Sequence, residues 1–492
     1  MAKRDGPPGG KAAATAPPAL PAAEVRRLEA NAEELGVSLE SLMEKAGAAL
    51  AAEARRMAGK GPVLILCGKG NKGGDGATAA RLLLAQGVDA RVALVAPRNQ
   101  GSVLLRRQLE RLPADRIAAW KGRLPKGWPT PRLAVDCLLG TGLSGAPRAP
   151  YDAAVRWLNA QKLVLSADVP SGLGTPLAVK PAATVAFHAA KEGTTPQTAG
   201  RVTVAPIGIP AAASDVGVGD LRQAYRIPEP GSHKGDNGTV LVVAGSIPYL
   251  GAPTYNAIAA YRTGADLVHV AAPAKVADHL RNLTPEPIVH EANPGRVLGP
   301  GAATAVAKLL PRAKCLLIGC GLGDAAATRR EAAKILDLAA KQPGLPVVVD
   351  ADGLDALDDK LAARLAGRLV VTPHAREFSD RLGTEATPGN VTKAAARLGI
   401  TILRKAQGTV VSDGRRTRHC RRGHPSMTVG GTGDVLAGCV AELLAKGAAP
   451  FEAACAASYL VGCAGEEAAR LRTWGASALD VAEAIPLVLH RL

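Results

Sequence analysis

Asp434 stands directly behind four small residues, Gly430, Gly431, Thr432 and Gly433. It precedes an apolar run with helical spacing, Val435, Leu436, Val440, Leu443 and Leu444, that stops at Gly447. A glycine turn therefore opens a helix. The N–H groups of a helix's first turn have no acceptor within the helix, and the dipole places roughly half a positive charge there, so the turn suits a phosphate. A carboxylate beside a phosphate site repels the ligand unless it has other work. Taking a proton from a hydroxyl during phosphoryl transfer is such work. The same string also reads as a plain tight turn with an acidic residue set favourably against the dipole.

A second group of polar residues follows three apolar runs in the first half of the chain. GKGNKGGDG (68–76) lies between a strand over 61–66 and a helix carrying Ala79, Leu82 and Leu83. Strand, glycine loop and helix in that order present backbone amides to a dinucleotide pyrophosphate, although the spacing is not GxGxxG and a standard NAD fingerprint is not supported. DCLLGTGLSGA (136–146) closes the strand 133–139, and DVPSG (168–172) follows the strand 163–167. Any one of these loops is equally a turn with a capping Asp. Three of them at successive strand ends point to a site, because ligands of doubly wound sheets bind at the carboxyl ends of strands.

Elements to position these residues are easily found. Residues 24–58 read as helical, with Leu28, Leu35, Leu39, Leu42 and Met43 on one face and Gly47 allowing close packing; a further strand is expected at 91–95. In the second half, strands are expected at 239–244, 265–271, 315–319, 346–349, 369–371 and 401–404, with a helix over 255–263. Their ends carry GCGLGD, DADG, TPHAREF and KAQGT. Strands alternating with helices give an α/β fold class with two doubly wound domains. At 492 residues there is room for two or three such domains. The first 23 residues, rich in Ala, Pro, Gly and Lys, read as a disordered tail without the apolar core of a signal peptide, and 211–230 as a linker.

Composition narrows the function. No run approaches the ~20 apolar residues of a membrane span, so no membrane partner is expected. The net charge of +17 suits polyanions, but three Phe, six Tyr and four Trp leave little for base stacking. Anionic nucleotides are therefore preferred over nucleic acid as partners. Eight cysteines without a CxxC pair sit mostly in apolar runs, as expected of buried thiols in a reducing cytoplasm. A homo-oligomer is expected.

LMEKAG, CGKGNKGGDG, VDCLLGTGLSG, DVPSG and GRVTVAPIGIP together resemble the successive motifs of the NAD(P)H-hydrate epimerase family over residues 24–210, a Rossmann-like domain. That resemblance implies that Asn71, Lys72, Gly73, Gly74 and Asp75, together with Gly140, Thr141, Gly142, Leu143, Ser144, Gly145 and Ala146, hold a hydrated nicotinamide nucleotide. It implies that Asp168 contacts the substrate and is catalytic. It also implies a potassium ion with Asp136 and Ser171 as ligands. Two positions depart from the pattern: Lys45 replaces an Asn in LMEKAG, and Lys72 stands where a third potassium ligand, an Asn, is usual. A lysine ammonium has the charge of potassium, so Lys72 either takes the ion's place between Asp136 and Ser171 or extends to solvent or a substrate phosphate.

From residue 231 onward, HKGDNG, GAP, GADLVHVAAP, GLGD, DADGL, TPHAREF, KAQGT and MTVGGTGDVLAG resemble the ADP/ATP-dependent NAD(P)H-hydrate dehydratases of the ribokinase-like superfamily. The resemblance makes Ala252, Gly323 and His374 substrate contacts, although a lone His is usually a satisfied core residue. It assigns Lys405, Ala406, Gln407, Gly408 and Thr409, with Gly430, Gly431, Thr432 and Gly433, to the adenine nucleotide, and makes Asp434 the base in contact with the substrate hydroxyl. Cys320 replaces a usual Pro before GLG, and Ser426 replaces a common small residue near the glycine turn. The implied function is repair of hydrated NADH and NADPH (NADHX and NADPHX). The first domain interconverts the two epimers and the second dehydrates the S form, with ADP or ATP as phosphoryl donor, Mg2+ on the phosphates and phosphate released. The alternative is a small-molecule kinase of the hydroxymethylpyrimidine or sugar type fused to a non-catalytic Rossmann-like module.

Overall fold

The computed structural model describes residues 19–142 and 145–492. The chain divides into two compact units that meet at Ala211/Ala212. Most of the tail expected over 1–23 lies outside the described residues. Residues 19–23 are not tail: Leu20 pairs with Lys191 as an isolated β-bridge and a helix begins at Ala22.

The first unit is built on seven parallel strands: β1 (Val63–Cys67), β2 (Ala90–Leu94), β3 (Ile117–Ala119), β4 (Leu133–Cys137), β5 (Val164–Ala167), β6 (Ala183–Phe187) and β7 (Arg201–Ala205). Their order is β3-β2-β1-β4-β5-β6-β7. Strands run outward one way from β1 and the other way from β4, so a crevice opens at the carboxyl ends between β1 and β4, the place where such sheets bind ligands. Period-2 alternation sends Val63 and Ile65 to one helical layer and Leu64 and Leu66 to the other. The helical stretch expected over 24–58 is two helices, Ala22–Glu34 and Leu39–Ala58. The chain breaks at Gly36, whose φ is +87°, and Ser38 caps the second helix. Gly47 lets that helix approach the helix Asn71–Ala85 closely, since a Cβ there would overlap Thr78.

The second unit carries nine strands: β8 (Thr239–Val243), β9 (Leu267–Pro273), β10 (Ile288–Asn293), β11 (Cys315–Ile318), β12 (Val347–Val349), β13 (Leu369–Val371), β14 (Thr401–Arg404), β15 (Thr409–Ser412) and β16 (Thr417–Cys420). The order is β10-β9-β8-β11-β12-β13-β14-β15-β16, parallel as far as β14 and antiparallel over the last two pairings. The order again reverses between β8 and β11. Val240 and Val242 pack on one face, Leu241 and Val243 on the other. The region expected as a linker, 211–230, is no passive connection. It holds the helix Val218–Ala224, and Val216, Leu221 and Ala224 are buried in the core of the second unit. Asp220 fixes this helix by pairing with Arg418 on β16 at 2.6 Å. Among the described residues no helix is long and apolar enough to cross a membrane.

Candidate active sites

In the first unit the glycine loop turns tightly because side chains are excluded from it. A Cβ at Gly68 would collide with the Leu138 carbonyl, and one at Gly73 with the Gly68 carbonyl. The chain enters the helix Asn71–Ala85 at once, and its first turn aims Lys72 inward. Lys72 is only 8 % exposed. Its Nζ lies 3.3 Å from Asp136 Oδ2, 3.0 Å from Ser171 Oγ, 3.0 Å from the Leu139 carbonyl and 2.7 Å from the Val169 carbonyl. The reading in which Lys72 extends to solvent is thereby corrected. Asp136, fully buried at the end of β4, also accepts from Ser166 Oγ, Ser171 N and Ser171 Oγ through its two oxygens. These oxygens form a cage of carbonyl, hydroxyl and carboxylate donors of the kind that suits a potassium ion. An ammonium at its centre leaves the ion no place.

Asp168, just past β5, adopts a left-handed φ of +60°, a conformation costly for a non-glycine residue and frequent at functional positions. Its Oδ1 accepts from Phe187 N at 3.1 Å and pairs with the buried Lys191. Asp75 lies near: burial, then the Asp168 and Glu29 carboxylates, push its carboxyl well above the usual range. Gly140, Thr141, Gly142, Gly145 and Ala146 line the loop after β4, at least partly open to solvent. Leu143 and Ser144 fall outside the described residues. The sequence did not single out Lys191 or Glu29; a lysine four residues after a strand carries no signal without its partner.

In the second unit the glycine turn does open the helix Thr432–Ala445. Gly431 is required twice over, by a φ of +97° and because a Cβ would sit 2.7 Å from the Tyr255 ring and 2.9 Å from Ala478. Asp434 is in the first turn, and Asn256 Nδ2 holds its carbonyl at 2.8 Å. Burial and then the Asp350 carboxylate push the Asp434 carboxyl up to about 6, against the Cys320 thiol and the Lys405 ammonium. Ligand atoms of Cys320, Asp350 and Asp434 all lie within 4.8 Å of one another. Asp350, at the end of β12, accepts from Lys405 Nζ at 2.6 Å and Thr372 Oγ1 at 2.7 Å. Burial works against the Lys405 ammonium, but Asp350 outweighs it and raises it above the ordinary lysine range.

A cavity of about 400 Å3 adjoins this cluster. Lys405, Ala406, Gln407, Gly408 and Thr409 line it together with Thr432 and Gly433, as expected for one nucleotide pocket. Arg421, Arg422 and His424 line it too and were not foreseen. Gly430 begins the same turn. Ala252 and Gly323 are not among the residues that line the cavity: a Cβ at Gly321 would meet Ala252 at 3.0 Å, and Gly323 N donates to Asp352 at 2.7 Å. His374 is not a core residue. It is exposed and caps the helix Ala375–Leu382, its Nδ1 accepting from Glu377 N, while its strand segment bridges Lys405. Ser426 is bonded to His424 Nδ1 at 2.9 Å. Asp350, Asp352 and Cys320 were passed over as sites, although DADG at a strand end was visible.

Two family models match the chain, one described as NAD(P)H-hydrate dehydratase over residues 240–487 and one as YjeF-related protein N-terminus over 39–193. The bifunctional NAD(P)H-hydrate repair enzyme Nnr of Hyperthermus butylicus is 38% identical over 96% of this chain and 92% of its own. The chain belongs to the family of bifunctional NAD(P)H-hydrate repair enzymes. The family member of Methanothermobacter thermautotrophicus is 37% identical over 93% of each chain. A single-activity relative, the ADP-dependent (S)-NAD(P)H-hydrate dehydratase of Cenarchaeum symbiosum, is 39% identical and aligns with 56% of this chain and 97% of its own.

Proposed function

We propose that the first unit interconverts the epimers of hydrated NADH and NADPH and that the second dehydrates the S form at the expense of ADP or ATP. The observation that carries the second half is Asp434, a carboxyl pushed up to about 6 at the opening of a glycine-turned helix whose Thr432 and Gly433 line a nucleotide-sized cavity. Hydroxide is a poor leaving group and phosphate a good one. Asp434 takes the substrate hydroxyl's proton as that oxygen attacks the terminal phosphoryl group, and the first-turn amides and Lys405 stabilise the charge on the group in transit. Phosphate then leaves with the C–O bonding pair, the adjacent ring carbon gives up a proton to water, and the electron pair of that C–H bond restores the ring double bond.

Asp350 holds Lys405 beside Gly433, 3.3 Å from where a Cβ there would stand. A thiol is a poor magnesium ligand and Asp350 is already paired with Lys405, so these residues do not make a cage for Mg2+; an ion carried in with the nucleotide would supply charge neutralisation at the phosphates. In the first unit the Lys72 ammonium takes the place of potassium and cross-links β4 to the DVPSG loop, which carries Asp168. The test is product analysis. Hydrated NADH with ADP is expected to recover NADH absorbance with release of inorganic phosphate; a stable phosphorylated product instead would identify a kinase.

A further inference from the structure

Cys320 replaces the proline usual before GLG, and the dehydration leaves its thiol without work. The side chain is 0 % exposed and touches two carboxyl groups: Sγ lies 3.6 Å from Asp350 Oδ2, and the thiol also bonds the Asp434 carboxyl. Lys405 and Thr372 both bond Asp350 through Oδ1, so among the described residues Oδ2 has the thiol as its one hydrogen-bond partner. Asn256, also 0 % exposed, adjoins the sulfur. Its Nδ2 lies 3.4 Å from Sγ, and Oδ1 of the same amide is buried with no hydrogen-bond partner among the described residues. The cavity lined by Lys405 and Gly433 adjoins the cluster, and Asp434 is partly exposed, which gives an ion a way in.

We propose that Cys320 Sγ, Asp350 Oδ2 and one Asp434 carboxylate oxygen form a binding site for a thiophilic divalent cation such as zinc, and that the ion stops dehydration by occupying Asp434. The block, though not the site, rests on Asp434 as the base. The spacing suits the ion. Zinc held tetrahedrally at ~2.3 Å from sulfur and ~2.0 Å from oxygen sets those two ligand atoms about 3.5 Å apart, against 3.6 Å between Sγ and Oδ2. The ligand atoms of all three residues lie within 4.8 Å of one another. Because Lys405 uses the other oxygen of Asp350, the ion does not have to displace it. Magnesium finds a thiol and too few oxygens here, whereas sulfur beside carboxylate is a donor set that zinc accepts.

On binding, one metal–sulfur and two metal–oxygen bonds form, the S–H bond of Cys320 breaks and its proton passes to solvent. Two carboxylates, a thiolate and the Lys405 ammonium leave a net negative charge that one divalent ion cancels. Asn256 Nδ2 then donates to a thiolate, a stronger acceptor than the thiol, and so supports the ligand from behind the metal's own shell. Water from the cavity completes the tetrahedron, with Asn256 Oδ1 as an acceptor still to be used. The Asp434 electron pair that would take the substrate hydroxyl's proton is held on the metal.

The experiment titrates the full chain with cadmium, read by the thiolate-to-metal charge-transfer absorbance in the ultraviolet, and repeats the ADP-dependent repair assay with excess magnesium and free zinc fixed by a metal buffer. One cadmium per chain with that band is expected, and loss of repair at a free zinc level that leaves epimer interconversion by the first unit intact. Cys320→Ser and Cys320→Ala are expected to lose the band and to weaken inhibition by at least about 100-fold, each judged against its own zinc-free rate. Asp434→Asn, whose repair is lost in any case, is expected to weaken cadmium binding by the same absorbance. A band or a zinc sensitivity that survives in Cys320→Ala belongs to another cysteine or another site and would overturn the proposal. Binding through Cys320 with repair undiminished would overturn the block. A chain that binds cadmium through Cys320 yet repairs nothing even without metal would support the site and contradict the dehydratase reading instead.

Discussion

The ammonium of Lys72 lies 3.3 Å from the fully buried carboxylate of Asp136 and, at 2.7 Å, on the Val169 carbonyl, in a cage of protein oxygens. A charge so placed is part of the fold. If it replaces potassium, epimer interconversion by the unaltered chain proceeds equally in sodium and potassium buffers. Lys72→Asn removes one partner of a buried pair, a change worth about 3–5 kcal/mol, and opens the cage to an ion. Its melting temperature and epimerase rate are expected to be low in sodium and largely restored by potassium. Potassium dependence of the unaltered chain would refute the substitution.

Gly431→Ala tests whether the turn before Asp434 is set by backbone geometry. The φ of +97° costs an alanine about 1–3 kcal/mol. Overlap with Tyr255 and Ala478 adds a similar overpacking term. A loss of about 2–5 kcal/mol in the unfolding of the second unit is expected, with weakened ADP binding by calorimetry. Unchanged stability would mean that the turn adapts freely.

Glu442, on the same helix as Asp434, is 0 % exposed, and among the described residues neither carboxylate oxygen has a hydrogen-bond partner and the Lys446 ammonium, 4.0 Å away, has none either. Burial pushes the Glu442 carboxyl up to about 9, against the opposing pull of Lys446. A carboxyl raised on folding keeps a proton that the unfolded chain gives up. Its stabilising contribution is therefore complete below the unfolded value of ~4.3 and is lost as pH rises toward about 9. Burial depresses Lys446, whose effect has the opposite sign. Glu442→Gln is expected to flatten the alkaline decline of the melting temperature and to raise it near pH 8. A variant less stable there would show that the ionised pair holds the helix.

Much of this was legible in the sequence because the informative residues are local in it. β1, β4, β8, β11 and β13 are short, apolar and bounded by glycine or polar loops, and both phosphate-type turns announce themselves by their glycines. The edges were harder. β6 and β7 are parallel strands joined through a helix of only four residues, Pro196–Ala199, β15 and β16 are four-residue strands rich in Arg, Thr and Ser, and the helix Val218–Ala224 was hidden in a segment whose Pro and Ala suggested a connection. The site residues that went unnoticed, Lys191, Glu29, Asp350 and Cys320, owe their meaning to partners 23 to 139 positions away in sequence. Lys72 was visible as a departure, but only the structure brings the Val169 and Leu139 carbonyls to it.

The most direct measurement follows both reactions in one preparation of Asp434→Asn, supplied with the two epimers of hydrated NADH, ADP and magnesium. Recovery of NADH absorbance and release of phosphate are expected to fall by about 10²–10⁴-fold, while epimer interconversion stays at the level of the unaltered chain. In the unaltered chain, repair is expected to rise with pH through about 6 as Asp434 becomes the free base. Near-normal repair by the variant, with the same rise through that pH, would contradict the assignment of Asp434 as the base.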